Sequence, residues 1–222
     1  MRSFEEILDI AAERKGGRAA VLDGIDRPLS AEALAAIPDD RWLAQMAKGV
    51  FQAGFNWKVI ETKWPGFEDA FHGFDVGRVA MMSEDWFDEL LQDTRIVRNG
   101  AKIRSVQQNA VFVQEVSVEA GGFGRKIAGW PGEDQAGLLR WLGKEGSRLG
   151  GATAQYFLRA MGKDSYILSR DVVARLVAEG VVDKAPSSQK SMAAAQAAFN
   201  RWAKESGQGL TVVSRVLAQS IG

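Results

Sequence analysis

Apolar residues recur along this chain at spacings of three and four almost from end to end, and strict alternation is nearly absent. That period belongs to amphipathic helices and not to strands. Phe4, Ile7, Leu8 and Ala11 share one helical face, and Lys15-Gly16-Gly17 ends that segment. Ser30 caps a short alanine-rich helix, and Pro38-Asp39-Asp40 opens the next. Leu43, Met46, Val50, Ala53 and Trp57 then read as one continuous helix, stopped by Trp64-Pro65-Gly66. Ser83-Glu84-Asp85 opens a further short helix that closes near Leu91. The Asn99-Gly100 turn precedes a longer one through Ile103, Val106, Ala110 and Val113.

Glycines at 121, 122, 124, 129 and 132 make 119–132 the least regular stretch, which reads as a connection between two lobes. Helical pattern resumes at Leu138, Leu139 and Leu142, breaks at Gly146, and returns from Thr153 to Met161. A polar stretch at 183–190 precedes two final helices, 190–205 and 210–220. No fixed-period repeat and no low-complexity segment is evident. The expectation is an all-α, two-lobed helical bundle, a single domain over residues 1–222.

Composition narrows the class. With 222 residues, 46% of them apolar, the chain has material for a full core without disulfide or metal staples. There is no cysteine, which excludes disulfides and thiolate metal sites. No run of about 18 apolar residues is present, and Met1-Arg2-Ser3-Phe4-Glu5-Glu6 lacks the order of a signal peptide. A cytoplasmic monomer, not a membrane protein, is expected. Formal net charge is zero, yet residues 1–94 hold 10 Lys and Arg against 18 Asp and Glu, and residues 95–222 hold 18 against 10. A basic half suits a polyanionic partner; chance segregation, or attraction between two lobes, produces the same asymmetry.

The segment with the most chemical content is Gly146-Ser147-Arg148-Leu149-Gly150-Gly151-Ala152-Thr153-Ala154, between two amphipathic helices. A glycine hairpin entering a helix leaves backbone N–H groups unpaired and suited to an anion. Arg140, Lys144, Arg148 and Arg159 add positive charge around it. An ordinary αα-hairpin has the same look. Elsewhere the chemistry is sparse. His72 has no second histidine or cysteine for a metal, and Gly121-Gly122-x-Gly124 follows no strand and is no dinucleotide fingerprint. Glu84, Asp85, Asp88, Glu89 and Asp93 read as a solvated acidic face. Trp64, Trp86, Trp141 and Trp202 read as core or inter-helix packing.

Three separated segments carry a resemblance. RLGGATAQYFLRAMGKDSYILSRDVVARLVA, from Arg148, resembles the hairpin and following helix of helix-hairpin-helix base-excision glycosylases, with Leu149-Gly150, Thr153-Ala154, Gly162-Lys163, Ile167-Leu168, Val172 and Arg175-Leu176 at matching places. FQAGFNWKVIETKWPGFEDAFHGFD, from Phe51, resembles the Gln-Ala-Gly-x-x-Trp segment of the DNA-3-methyladenine glycosylase I family. DTRIVRNGAKIRSVQQNAVFV, from Asp93, resembles its Lys-Ile and Asn-Ala segment. Together they cover about residues 40–180, in order.

This resemblance implies a monofunctional DNA glycosylase that removes alkylated purines from double-stranded DNA without a cofactor, with a helix-hairpin-helix motif over about 133–161. It implies phosphate contacts from Arg148, Leu149, Gly150, Gly151, Thr153 and Lys102. It also implies a base pocket from Trp57, Phe51, Asn56 and Gln52, since such enzymes extrude the target base and hold it by stacking. Ala152 stands where members with lyase activity carry a lysine nucleophile, so no Schiff base is expected. Three departures accompany the match. The zinc site that joins the termini of family members needs Cys and His ligands, of which the chain has only His72. The family's pocket carboxylate, shortly before Gln-Ala-Gly, has no counterpart in Met46-Ala47-Lys48-Gly49-Val50-Phe51. The superfamily's catalytic aspartate aligns with Ser169, with Asp171 two residues on. If Ser169 is an N-cap, Asp171 falls in the first helical turn, placed to stabilise an oxocarbenium-like sugar; the alternative is that it only supports the helix start. A non-catalytic helix-hairpin-helix DNA-binding protein is the competing class, and a helical protein-interaction scaffold a third.

Overall fold

The computed structural model describes residues 1–221, and these form fourteen α-helices and two 3-10 turns with no strand. In chain order the first seven helices are α1 (Phe4–Lys15), α2 (Arg18–Leu22), α3 (Ala31–Ala35), α4 (Asp39–Gln52), α5 (Trp57–Ala70), α6 (Val76–Ala80) and α7 (Glu84–Gln92). They are followed by α8 (Gly100–Ala120), α9 (Phe123–Ala128), α10 (Gln135–Glu145), α11 (Ala152–Ala160), α12 (Arg170–Ala178), α13 (Gln189–Ser206) and α14 (Leu210–Gln219). Side-chain caps set many of the starts. Ser3 and Glu6 form a capping box on α1, and Ser30, Asn56, Asp75, Ser83, Asn99 and Ser169 each accept a backbone N–H of the helix that follows.

The chain divides into two compact units. One comprises residues 1–29, 130–138 and 162–222; the other comprises 30–129 and 139–161. In the first, Tyr166 stacks on Phe199 at 4.4 Å, and the Trp202 indole donates to the Arg2 carbonyl at 3.0 Å. The Asp164 carboxylate accepts the N–H groups of Leu210 and Thr211, capping α14 from a distant part of the sequence. Glu179 is buried between Arg2 and Arg175; burial pushes its carboxyl up, but the hydrogen bonds from these guanidinium groups and the Arg2 N–H outweigh it and hold the pKa below its ordinary value. In the second unit Leu43, Ala47, Phe51, Ile60, Phe67, Ile103, Val106 and Ala110 share one core. Trp42 packs on Phe123 and Phe157 beside it.

Four sequence expectations need correction. The helix read through residues 43–64 is two helices: α4 ends at Gln52, Gly54 takes φ +72°, and Asn56 caps α5. Nor does Trp64-Pro65-Gly66 stop α5, which runs on to Ala70. Pro65 forfeits one helical donor, but Trp64, Phe67, Phe71 and Phe74 stack successively at centroid distances of 5.3–6.4 Å around it and favour continuation. Residues 119–132 are more regular than expected, because α9 lies inside them. Gly121 closes α8 at φ +73°, and at Gly124 a Cβ would stand 2.4 Å from the Leu34 carbonyl oxygen. The units do change at 129–130. Finally, the charge asymmetry of the sequence halves does not survive folding. The first unit holds 13 basic and 13 acidic residues and the second 15 and 15, so any affinity for a polyanion rests on local placement.

Gly66 provides a sign test of the packing around α5. A Cβ there would lie 2.7 Å from the Arg95 carbonyl oxygen and 2.8 Å from the Arg95 Cβ. In an open helix Gly→Ala is stabilising by about 1 kcal/mol. Here Gly66→Ala is expected to destabilise by about 1–3 kcal/mol, read from chemical denaturation; a gain in stability would show that this approach is not tight.

Candidate functional site

α10 and α11 are joined by the turn 146–151. Gly146 is buried because Leu149 folds back over it: a Cβ at 146 would meet the Leu149 Cδ1 at 2.6 Å and the Leu142 carbonyl at 2.8 Å. The turn is clamped to α8 by Asn109, fully buried, whose carboxamide donates to the Ser147 carbonyl at 3.0 Å and accepts the Ser147 N–H at 2.7 Å. With the turn pinned there, Arg148 is held at φ +60° and exposed. Gly151 follows at φ +59°, ψ −130°, and no side chain caps α11, so its first backbone N–H groups have no side-chain partner. Gly150, Gly151 and Ala152 are exposed, Thr153 half-buried.

Two small cavities adjoin this turn. One, of about 340 Å³, is lined by Val50, Ala53, Lys102, Arg148, Gly150 and Thr153. The other, about 170 Å³, shares Ala53 and Thr153 and is closed by Gly49, Gln52, Phe55, Trp57 and Tyr156 among others. Trp57 opens α5 with half its surface exposed, and its ring meets Tyr156 of α11 edge-on at 5.4 Å and 87°. α4 and α11 approach closely at Gly49, where a Cβ would make an ordinary contact, 3.5 Å, with the Thr153 methyl. No carboxylate lines this cavity. A much roomier cleft of about 1070 Å³ is walled by Asp69, Asp85, Asp88, Glu89 and Asp93, an arrangement that repels a polyanion.

Several expected site residues are placed otherwise. Phe51 is fully buried, its ring against Phe67 at 4.6 Å, so it belongs to the core and not to a stacking face. Asn56 spends its carboxamide oxygen on the Lys58 N–H as the cap of α5. Leu149 is fully buried and anchors the turn instead of touching solvent. Lys102 is buried as well. Its ammonium donates to the Phe51 carbonyl at 3.1 Å and to that of Ala53 at 2.7 Å, and lies 5.0 Å from the centroid of Phe55. Burial, then the nearby Arg148 charge, lower the Lys102 pKa from its ordinary value. Lys102 therefore builds the site's wall rather than projecting at a phosphate. Gln52 lines the smaller cavity, and Trp57 does too.

Ser169 is the N-cap of α12, so Asp171 lies in its first turn, exposed to solvent. Asn109, Tyr156 and Glu61, whose carboxylate accepts the Gln52 amide, were missed by sequence reasoning. Only Asn109 carried a signal there, as part of the Asn-Ala segment. Among the described residues no three His, Cys, Asp or Glu side chains gather to hold a metal, and no helix is long and apolar enough to cross a membrane.

This geometry can be set beside known proteins. The described chain has the all-helical fold of 3-methyladenine DNA glycosylase I: a crystal structure of that enzyme superposes with TM-score 0.50 at 26% identity, over 56% of this chain and 79% of the other. The Staphylococcus aureus enzyme, solved in a study of 3-methyladenine recognition, superposes with TM-score 0.52 at 23% identity, over 65% and 84%. In sequence, residues 37–136 match the methyladenine glycosylase family. Over 59 residues the chain is 37% identical to DNA-3-methyladenine glycosylase 1 of Escherichia coli (strain K12), covering 27% of this chain and 32% of the relative. The alignment thus spans about a third of the length of the curated relatives it matches. The family match covers just under half of the chain.

Lys102→Met tests the wall. Two helix-end carbonyls lose their donor, so a loss of about 1–3 kcal/mol is expected, with faster amide exchange over 51–56 than elsewhere. Unchanged stability and exchange would mean that the ammonium does not hold this turn.

Proposed function

We propose that the chain is a monofunctional DNA glycosylase that releases alkylated purines of the 3-methyladenine type from duplex DNA. The observation that carries this reading is the pairing of a solvent-open aromatic cavity, edged by Trp57 and Tyr156, with an uncapped helix start and the exposed Arg148 on the adjoining turn. The family match over 37–136 supports it, and the comparisons lend nothing to a non-catalytic DNA-binding module. In this reading α10, the turn and α11 form the helix-hairpin-helix. Arg148 and the backbone of Gly150, Gly151 and Thr153 hold phosphate, with Arg140 and Lys144 adding charge. The flipped base enters the smaller cavity beside Trp57. A cationic N-alkylpurine gains cation–π attraction there, and its glycosidic bond is already labile, so modest transition-state stabilisation suffices.

The reaction breaks the C1′–N bond, the bonding pair leaving with the base, and water adds to C1′ with loss of a proton. We assign to Asp171 stabilisation of the developing positive sugar and orientation of that water. Ala152, where a lyase needs lysine, leaves no imine step, so the product is an intact abasic strand.

Base release from methylated duplex DNA, followed by chromatography under single-turnover conditions, tests the reading. Wild type should release 3-methyladenine, and borohydride should trap no protein–DNA adduct. Trp57→Ala should lose stacking worth about 1–3 kcal/mol, or roughly tenfold to a hundredfold in kcat/KM, while binding to undamaged duplex stays near wild type. Arg148→Glu should weaken binding to all sequences alike and flatten its salt dependence. A folded wild type that releases no alkylated base from any duplex sinks the proposal.

A further inference from the structure

The smaller cavity contains one directional side chain whose orientation is dictated from outside it. Gln52, 9% exposed, lines the cavity next to Trp57, and its Nε2 donates to Glu61 Oε1 at 3.1 Å. Glu61 lies one helical turn after Trp57 on α5, and its other oxygen accepts the Lys48 ammonium at 2.8 Å. That ammonium also rests 5.1 Å from the centroid of Trp64. An ionised carboxylate only accepts hydrogen bonds, so it selects one of the two amide orientations, with nitrogen toward Glu61. Among the described residues the amide oxygen has no hydrogen-bond partner, and it is then left for an occupant of the cavity. Reversing the amide would set two acceptors against each other in a half-dry site.

We infer that Gln52, oriented by Glu61 and Lys48, is the specificity-determining acceptor of this pocket, and that it takes bases presenting an amino donor in preference to those presenting a carbonyl at the same edge. The inference rests on the glycosylase reading above and refines it. Among N-alkylated purines it selects adenine derivatives, whose 6-amino group donates, over guanine derivatives, whose 6-oxygen would face the amide oxygen. The cavity has no carboxylate, and α4 contributes Gly49 on this side. The carboxylate instead stands one layer back, where it polarises and fixes a neutral amide. Gln52 touches the base; Glu61 is a positioning residue. Discrimination of this kind comes from the unpaired polar group that a wrong base would leave behind.

The test measures, on duplex DNA treated with a methylating agent, the ratio of released 3-methyladenine to released 3- and 7-methylguanine. Comparing each variant with wild type cancels the differing lability of the bases. Gln52→Leu should lower the ratio about tenfold, the size of one hydrogen bond to a charged or polarised group. Glu61→Gln, which can donate to the Gln52 oxygen and so free the amide to reverse, should lower the ratio similarly while Gln52 itself is intact. Trp57→Ala should depress release of both classes and leave the ratio unchanged. Thermal melting checks that each variant is folded, and Gln52→Glu, which restores an acceptor, should recover the ratio if Gln52→Leu loses it. If the folded variants release alkylated bases at an unchanged ratio, the role of Gln52 and Glu61 is overturned while the glycosylase reading stands. If wild type releases none and binds no free 3-methyladenine, both fall.

Discussion

Where a helix ends and another begins at a new angle, the last carbonyls of the first lose their intrahelical donors and must find others. Between α4 and α5 two of them, on Phe51 and Ala53, are served by the buried ammonium of Lys102 on α8. The same contact ties α8 to the end of α4 and to the link, residues 53–56, that leads into α5. Trp57, which opens α5, meets Tyr156 edge-on. Burying an ammonium is costly unless its donors are used, and here two carbonyls and the Phe55 ring provide that. A second clamp, Asn109 on the same helix, pins the turn before α11. α8 is thus the shared support from which the cavity's aromatic wall and its glycine turn are both referenced.

The two sides of this arrangement differ in electrostatic character. The turn presents the exposed Arg148 beside a helix start with no side-chain cap, whereas the cavity is lined by neutral residues only. A zero net charge for the chain, and for each of its units, says nothing against a local positive site. Phosphate attraction falls off within a Debye length, about 8–10 Å at physiological salt.

Much of this was legible along the chain, because helical period and caps are local signals. Ser30, Ser83 and Asn99 mark helix starts in sequence and in structure. The glycine turn and Trp57 were found from their own segments. What failed depends on distance or on facing. Phe51 shares the face of Leu43 and Ala47, four residues apart, and that spacing sends it inward; Gly49, Gln52 and Ala53 occupy the adjacent face and reach the cavity. The alternation of these two faces was present in the sequence, but an aromatic next to a pocket motif outweighed it. Lys102 is different in kind. A lysine whose partners are carbonyls about fifty positions away offers no sequence pattern. Gly54 was the one residue that could have divided the long helix, since a position requiring φ +72° is where a helix with continuous apolar spacing breaks.

The absence of an acid from the part of α4 that lines the cavity then acquires a physical sense. A carboxylate at the position of Gly49 would have to fit where α4 and α11 approach, against the Thr153 methyl. Placing the carboxylate on α5 instead, at Glu61 with Lys48 as its counter-ion, leaves it half in water. The amide of Gln52 carries its influence inward without carrying its charge. Such a relay gives up Coulombic attraction for a cationic base and retains directionality. If, as proposed, the substrate is a base whose glycosidic bond is weakened by alkylation, selecting the right edge matters more than adding binding energy, since uniform binding does not speed the chemical step. In the proposed reading the aromatic edge at Trp57 and Tyr156 would supply hold, the Gln52 amide choice, and the turn bearing Arg148 a grip on the backbone during extrusion of a base.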